Sequence, residues 1–313
     1  MKKVICTTTI NAPTPALLAY AQMEGWDLVV AGDLKTPHAT HRDLQSENPD
    51  HVHYLPPWMQ EEAFPVLSRL IPWNSIQRRN LAFLYALEVL DADIIATVDD
   101  DNIPLPNWGQ DIMVGKEVEV YEHKDNDLPS FDVMSATEHK HLWHRGYPLQ
   151  WVAKKNDWDR MDKVKITPDI QANLWLGDPD IDAVCRMIHA PDLKSCVGNF
   201  PITSRNVAPF NSQNTILTRE AAKEYFMFPH VGRMDDIWAA FHMQLRGFRV
   251  VFGEATVRQD RNSHNLTQDF EGEILGYQNN EKILAIDGSV LKHLPKEARI
   301  AYDAYLHHTL QLR

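Results

Sequence analysis

The sequence has little of what stabilises small secreted proteins or membrane proteins. Its 313 residues include three cysteines, an odd number without CxxC spacing, so neither a disulfide framework nor a structural zinc site is expected. No stretch of the sequence is long and apolar enough to cross a bilayer. The start, from Met1 to Cys6, is typical of a first strand rather than of a signal peptide. We therefore expect a cytoplasmic protein.

Basic residues are also in deficit. The chain has 31 lysines and arginines against 43 aspartates and glutamates, which gives a formal net charge of −12. A strongly acidic protein repels phosphate backbones, so binding to nucleic acid or to an anionic membrane is not expected. A small anionic substrate remains compatible with this charge if a cation and a few arginines hold it.

The most informative stretch runs from Ile94 to Asn102. Its first five residues are mostly β-branched and predict a buried strand, and Asp99, Asp100 and Asp101 follow directly. Adjacent carboxylates repel one another unless something offsets their charge. One interpretation is a solvated acidic loop. We favour the other, in which Asp99 and Asp101 point to one side of extended backbone and bind Mn²⁺ or Mg²⁺ together with phosphate.

The order of strands and helices predicts an α/β fold. Val4 to Thr9 and Trp26 to Ala31 are typical of strands, and an apolar helix begins between them after Thr14. A βαβ order implies parallel pairing, so the loops after these strands should meet at one edge of the sheet. We expect the acidic triplet to lie at the same edge.

Several other segments have weaker signals. Residues 37–57 are interpreted as a long loop with a short strand at 52–55, and residues 116–130 as a charged surface excursion. Asp178 and Pro179 are expected to open a helix that runs to His189. The histidines of residues 139–144 lack a cysteine or carboxylate at helical ligand spacing and are assigned to polar surface.

Three further groups are candidate site residues. Asp235 and Asp236 begin a predicted helix, where acids are favoured by the dipole, and one serves as a general base if an acceptor site is near. Arg78 and Arg79 either bind a diphosphate or cover a helix surface. His264 follows the last core strand, where metal ligation competes with the ordinary role of a lone histidine.

A set of short motifs occurs along the chain in a characteristic order. They are a first strand ending in threonines, the turn Gly32-Asp33-Leu34-Lys35-Thr36, Asn80 before the acidic strand, the triplet, Arg145-Gly146-Tyr147-Pro148, and Asp235-Asp236-Ile237-Trp238-Ala239. From Val4 to Phe270 this set resembles nucleotide-sugar enzymes of the GT-A fold. More narrowly it resembles the reversibly glycosylated polypeptides, which are UDP-arabinopyranose mutases, and the related STELLO-like glycosyltransferases.

The resemblance implies a role for each candidate residue. Asp99 and Asp101 would hold the metal ion, with His264 as a third ligand. Asp235 or Asp236 would face the acceptor. In a mutase, Arg145 would carry the sugar transiently. Thr8 and Asp33 would lie near the base and ribose. The residues assigned to the nucleotide-sugar donor are Thr8, Asp33, Lys35, Arg78, Arg79, Asn80 and Asp100, and for Asp100 contact with ribose is the alternative to contact with the metal.

We therefore expect a single GT-A-type α/β domain over residues 1–313, with a mostly parallel twisted sheet flanked by helices. Residues 1–110 would bind the nucleotide sugar, 111–280 would form the acceptor side and 281–313 a helical tail. The expected function is a metal-dependent glycosyltransferase that uses a UDP sugar and an unknown glycan or small-molecule acceptor. A UDP-sugar pyranose/furanose mutase and a non-catalytic nucleotide-sugar-binding subunit remain alternatives. The sequence leaves the oligomeric state open, and a homo-oligomer is compatible with each function.

Overall fold

The computed structural model describes residues 1–123, 128–155, 161–260 and 265–312. Within these ranges one sheet contains eleven strands. The strands are β1 (Lys3–Thr9), β2 (Asp27–Gly32), β3 (Val52–Leu55), β4 (Ile94–Val98), β5 (Asn102–Pro104), β6 (Val118–His123), β7 (Met161–Ile166), β8 (Ile170–Gly177), β9 (Ile202–Ser204), β10 (Asn214–Thr218) and β11 (Val250–Gln259). The helices are α1 (Pro15–Tyr20), α2 (His38–Glu47), α3 (Pro57–Ala63), α4 (Pro65–Leu70), α5 (Arg79–Glu88), α6 (Ala183–Ile188), α7 (Arg219–Glu224), α8 (Asp235–Leu245), α9 (Leu266–Lys282) and α10 (Lys296–Thr309).

The sheet has a parallel half and a mixed half. In the order β3-β2-β1-β4, every pair of neighbours is parallel. Beyond β4 the order continues β10-β8-β11-β9-β6-β7, and β10 is antiparallel to both β4 and β8. The α/β class is confirmed, but the sheet as a whole is mixed. Parallel neighbours need a crossover connection, and helices α1 to α5 supply these in the first half.

Burial explains why the first-half strands are apolar on both faces. Every residue of β2 and of β4 is buried. On one side α5 packs against β1 and β2 and buries Leu81, Phe83, Leu84 and Leu87 almost completely. Each such side chain stabilises the fold by roughly 1.5–3 kcal/mol through burial alone. The continuous apolar pattern of the Ile94 strand is thus the pattern of a central strand.

The strand order creates a crevice. β1 lies between β2 and β4, although β2 and β3 separate β1 from β4 along the chain. The chain therefore leaves β1 toward one side of the sheet and reaches β4 on the other side. At such a switch point the loops after the two strands diverge, and the carboxyl ends of β1 and β4 are where a ligand is expected to bind.

Two expectations about local structure are corrected. The segment 37–57 contains α2 as well as β3, because His41 and Leu44 give this polar stretch one buried side. Residues 118–123, expected in a surface excursion, form β6, which pairs with β7 and β9. In both segments tertiary packing orders residues whose local composition is polar.

The start of α6 is also corrected. Its N-cap is Asp182, whose carboxylate accepts a hydrogen bond of 2.8 Å from the backbone N of Cys185. Asp178, the expected cap, instead pairs with Arg186. Asp235 does begin α8 as predicted. Among the described residues, no helix has both the length and the apolar character that crossing a membrane requires.

Candidate functional site

A cavity of about 240 Å³ lies at the carboxyl ends of the first-half strands. The loops after β1, β2 and β4 and the segment before α5 form it together. Its lining consists of Thr8, Thr9, Ile10, Asn11, Asp33, Asn74, Ser75, Ile76, Arg79, Asp99, Asp100 and Asp101. The predicted meeting of these loops is confirmed, because Thr8 Oγ1 donates to the carbonyl of Ala31 at 2.7 Å and Thr36 Oγ1 to that of Thr9 at 2.6 Å.

Asp100 connects the loop after β4 to the loop after β1. Its carboxylate accepts hydrogen bonds from Thr9 Oγ1 and, at 3.1 Å, from Asn11 Nδ2. Its backbone carbonyl accepts one from Thr14 Oγ1, the N-cap of α1. These contacts cross the switch point and fix its width. Contact between Asp100 and ribose stays a prediction.

On the other side of the cavity, Asp33 likewise connects two segments of the chain. It is almost fully buried, and its carboxylate accepts hydrogen bonds from the backbone N of Leu34 at 2.7 Å and of Ser75 at 3.1 Å. The turn after β2 is thereby attached to the segment before α5. Ser75 in turn caps the short 3₁₀ turn Ile76–Arg78 that leads into α5.

Arg79, the first residue of α5, holds Asp99. Its Nη2 donates to Asp99 Oδ1 at 2.6 Å, while Nη1 donates to Thr97 Oγ1 and to both the carbonyl and hydroxyl oxygens of Ser212 at 3.0–3.1 Å. The side chain is 1% exposed. A guanidinium fixed in this way orients the Asp99 carboxylate and supplies positive charge at the base of the cavity.

The predicted donor contact of Arg78 is corrected. Arg78 is fully buried and does not line the cavity, since its guanidinium donates to Gln60 Oε1, to Ser68 and to the carbonyl of Ile71, and stacks 3.5 Å from the ring centroid of Trp73. Adjacent helical residues point about 100° apart, so only one of the two arginines faces the cavity.

Asn80 and Lys35 also lie outside the cavity lining. The amide of Asn80 is buried and makes two hydrogen bonds of 2.9 Å to the backbone N and carbonyl of Met227, which joins α5 to the segment before α8. Lys35 is exposed on the turn after β2. The structure therefore gives Asn80 a packing role and places Lys35 beside the site rather than in it.

The acidic triplet carries unfavourable charge. Burial raises the pKa of Asp99, although the Arg79 guanidinium lowers it. Burial, followed by the charges of Asp99 and Asp100, raises the pKa of Asp101 to about 7. Carboxylates in such an environment are stabilised by a bound cation. The donors are all oxygen, which is the chemistry that Mg²⁺ and Mn²⁺ prefer.

The protein side chains alone do not complete the coordination of a metal ion. Among the described residues, no group of three or more His, Cys, Asp or Glu side chains is arranged to hold a metal ion. His264, the predicted third ligand, lies outside the described residues. Mg²⁺ is often bound through one or two carboxylates together with substrate phosphates. Asp99 and Asp101 fit that pattern.

A buried chain of hydrogen bonds and ion pairs runs inward from Arg79. Ser212 donates its backbone N at 3.0 Å and its hydroxyl at 3.2 Å to Asp236 Oδ2. Asp236 accepts from Arg145 Nη1 and Nη2 at 3.0 and 3.2 Å. Arg145 is bidentate with Asp180, at 2.8 and 2.9 Å. Sequence reasoning missed Ser212 and Asp180, which no spacing pattern distinguishes.

The environment of Arg145 does not suit a sugar carrier. The residue is 6% exposed, and its Nη1 also donates to the carbonyl of Arg233. Burial acts to lower its pKa, but Asp180 and Asp236 hold that pKa well above its ordinary value. A guanidinium that stays protonated has no lone pair with which to attack an anomeric carbon. The structure gives Arg145 the role of a buried counter-ion.

Asp235 and Asp236 are placed differently, although they are adjacent. Asp236 is committed to Arg145 and Ser212. Asp235 is 5% exposed and accepts a hydrogen bond of 2.6 Å from Gln77 Nε2, whose neighbour Ile76 lines the cavity. Burial, followed by the charge of Asp236, raises the pKa of Asp235 to about 7. A pKa near the working pH is what a general base needs.

Comparison with known proteins gives distant likenesses. No protein-family model matches this chain, and no curated protein sequence matches it. A crystal structure of a mycobacterial protein is 13% identical, covers 90% of this chain and 74% of that chain, and has a TM-score of 0.47. S. aureus TarS 1-349 in complex with UDP-GlcNAc is 12% identical, with 100% and 81% covered and a TM-score of 0.46.

A third structure is the mannosyltransferase PcManGT from Pyrobaculum calidifontis in complex with GDP-Man and Mn²⁺. It is 13% identical, covers 97% of this chain and 69% of that chain, and has a TM-score of 0.39. At TM-scores this low, the three likenesses carry no argument about activity. What the site does must be inferred from its own residues.

Proposed function

We propose that this chain is a metal-dependent glycosyltransferase of GT-A type that uses a nucleotide sugar. One observation carries the proposal: the loops after β1, β2 and β4 converge on one cavity at a topological switch point, and Asp99 and Asp101 lie in it. Acids at that position repel an anionic ligand unless a cation accompanies it. A diphosphate bound with Mn²⁺ or Mg²⁺ satisfies both requirements. The choice of a UDP sugar rests on the sequence resemblance.

In this proposal, residues on different sides of the cavity bind different parts of the donor. Thr8 and Asp33 lie on the side where the base and ribose would bind, and Asp99 and Asp101 on the side of the diphosphate. A cation held there would offset the negative charge that develops on the leaving diphosphate. Arg79 keeps the Asp99 carboxylate in one orientation.

Asp235 is the proposed general base. It would accept the proton of the acceptor hydroxyl as the oxygen attacks the anomeric carbon, and Gln77 would hold its carboxylate toward the cavity. With a pKa of about 7, a substantial fraction is ionised at neutral pH. Asp236 pairs with Arg145 and orients the start of α8.

The test combines binding with turnover. Thermal unfolding is measured with a panel of UDP and GDP sugars, with and without Mn²⁺, because a ligand at 100 times its Kd stabilises the native state by about 2.7 kcal/mol. Hydrolysis and transfer are then measured for the sugars that bind. We expect the double variant Asp99→Asn, Asp101→Asn to lose both responses.

The control is Asp91→Asn, the same kind of change three residues before β4. Asp91 has a φ of 52°, a conformation that asparagine tolerates, and its side chain is 88% exposed. This control should behave as wild type. Full activity of the double variant contradicts the site, and no shift with any nucleotide sugar contradicts the function.

The same experiment separates the alternatives. Interconversion of UDP-arabinopyranose and its furanose form without acceptor supports a mutase, against which the burial of Arg145 argues. Tight binding without hydrolysis or transfer supports a non-catalytic binding subunit.

A further inference from the structure

A second and larger cavity, of about 580 Å³, lies on the mixed half of the sheet. β8 and β11 form its floor, and the loop that follows β5 forms one wall. Its volume is in the range of cavities that bind small molecules and oligomers of them. None of the residues assigned to the nucleotide-sugar site lines it.

The floor is polar and uncharged. Gln171, Asn173 and Thr256 are buried and form a continuous hydrogen-bonded chain, in which Gln171 Nε2 donates to Asn173 Oδ1 at 3.1 Å and Asn173 Nδ2 to Thr256 Oγ1 at 3.2 Å. The backbone N of Met113 donates to Gln171 Oε1 at 2.8 Å, which attaches the wall to the floor. Gln171 Oε1 and Asn173 Oδ1 each accept one of these bonds, and an amide oxygen has two lone pairs, so both can accept a further donor. Thr256 supports Asn173 from behind, since its hydroxyl accepts from Asn173 and Asn214 and donates to Asn214.

The wall and rim differ from the floor. Met113, Val118 and Phe200 are half-buried and present apolar surface to the cavity. Asp111 and Glu254 stand exposed at the rim. In the part of the chain that the structure describes, no lysine or arginine lines the cavity. Such a cavity repels anions and suits a ligand with both hydroxyl groups and apolar faces.

The backbone of β11 is irregular beside this cavity. The pairing of β11 with β8 shifts register between Gly253 and Val257, a bulge beside the cavity floor. A Cβ at position 253 would lie 2.1 Å from Asn173 Oδ1, so only glycine lets the Asn173 amide take its position. Bulges are frequent next to binding sites, where they redirect side chains.

The cavity lies within reach of the proposed donor site. β8 and β11 are two and three strands from β4 in the sheet. At the usual strand spacing this separation is roughly 10–15 Å. The wall belongs to the loop that leaves the acidic triplet through β5, and β5 pairs with β11 next to the bulge. A ligand held in the cavity could extend to the triplet only if it is a chain of several units.

We propose that this cavity binds the distal units of a neutral oligosaccharide, which is the acceptor of the transfer reaction. The acceptor role rests on the proposed function, whereas binding of a neutral glycan does not. Sugar hydroxyls would bond to the amides of Gln171 and Asn173, and the apolar ring faces would pack on Phe200 and Met113. The acidic rim excludes uronic acids and phosphorylated glycans.

The experiment measures glycan binding to the full chain by calorimetry, without nucleotide sugar or metal. The probes are maltotriose, cellotriose, mannotriose and triacetylchitotriose, with trigalacturonate as the anionic comparison. In the blocking variant, Asn107→Trp, a bulky side chain replaces an exposed cavity-lining residue. The matched control is Gln110→Trp, an exposed position on the same loop that does not line the cavity.

We expect at least one neutral trisaccharide to bind, Asn107→Trp to weaken it at least about tenfold, and Gln110→Trp to change it less than about twofold. Trigalacturonate should bind the wild type more weakly than the neutral probes. A further variant, Asp111→Lys with Glu254→Lys, should reverse that preference, and it alters only exposed side chains.

Three results overturn the inference: no neutral trisaccharide binds, the two tryptophan variants bind equally, or trigalacturonate binds the wild type best. Glycan binding without any nucleotide-sugar response refutes the proposed function and the acceptor role but leaves the cavity assignment standing. Nucleotide-sugar turnover without glycan binding refutes the cavity assignment alone.

Discussion

Replacing Arg145 with leucine tests the buried ion cluster most directly. The guanidinium makes four hydrogen bonds of 2.8–3.2 Å to the carboxylates of Asp180 and Asp236, and all three side chains are less than one-tenth exposed. Leucine has a comparable apolar stem but leaves both carboxylates without a counter-ion. Their remaining partners are neutral: Asn211 at 2.8 Å from Asp180, and Ser212 at 3.0 Å from Asp236.

We expect a large loss of stability in Arg145→Leu, because the carboxylates of Asp180 and Asp236 both lose their counter-ion. Removing one partner of a buried ion pair costs about 3–5 kcal/mol, since an uncompensated charge stays buried. The surviving hydrogen bonds and protonation of one carboxylate limit this loss, so we expect Arg145→Leu to lower the free energy of unfolding by about 3–4 kcal/mol at pH 7. A surface pair offers the matched control. Arg246→Leu breaks a pair with Glu224 whose arginine is 57% exposed, and should cost less than about 1 kcal/mol.

The pH dependence supplies a second, independent check. Burial acts to raise the pKa of Asp180, but the charge of Arg145 holds that pKa well below its ordinary value of 3.8. In the wild type the ionised Asp180 therefore adds stability above pH 3.8, and this contribution is lost as the pH falls further. Without Arg145 the effect of burial dominates, so the pKa of Asp180 rises and its ionisation opposes folding. The difference between wild type and variant should thus increase from pH 4 to pH 8.

Urea unfolding of both variants from pH 4 to pH 8 measures these quantities. Adding Asp180→Asn to Arg145→Leu should recover part of the loss, because the pair then contains one uncompensated charge instead of two. If Arg145→Leu costs no more than Arg246→Leu, or if its cost does not change with pH, the counter-ion role assigned to Arg145 is refuted.

Two further predictions concern the metal and a buried histidine. Because Asp99 and Asp101 alone make an incomplete cation site, Mn²⁺ should bind the protein at least about tenfold more tightly when UDP is present, and by linkage UDP should gain the same factor from Mn²⁺; equal Mn²⁺ affinity with and without UDP in calorimetric titrations contradicts this. His242 bonds to the hydroxyl of Tyr302 at 2.9 Å, and burial, followed by the charge of Arg246, lowers its pKa from 6.5 to about 4. The unfolded chain therefore binds the proton first, and the wild type should lose about 3 kcal/mol more stability than His242→Gln between pH 7 and pH 4; parallel pH profiles of the two proteins rule this out.

Part of the fold and of the site can be predicted from local signals in the sequence and from the order of strands and helices. The Ile94–Val98 strand and the triplet after it are predictable, because β-branched residues and acids are local signals. The meeting of the β1, β2 and β4 loops followed from chain order, since a βαβ unit places the ends of parallel strands at one edge. The charged strand β6 has no such local signal, because it is ordered by pairing with β7.

The candidate residues beyond the triplet show where local signals fail. Arg78 and Arg79 are adjacent and chemically identical, yet one supports the α3–α4 region and the other holds Asp99. Asp235 and Asp236 share a motif, yet one bonds to Gln77 beside the cavity and the other to Arg145. A difference of one position rotates a helical side chain by about 100°, and only the surrounding elements decide what it then meets.

The sequence by itself determined the α/β class, the central strand and the acidic end of that strand, because these depend on residue type and order along a short stretch. Only the tertiary structure decided which charges are compensated. Asp180 and Ser212 reach the Arg145 and Arg79 guanidinium groups from segments far along the chain, and burial rather than residue type raises the pKa of Asp235. The second cavity is equally a product of packing, since its floor, wall and rim come from elements that are close only in the folded sheet.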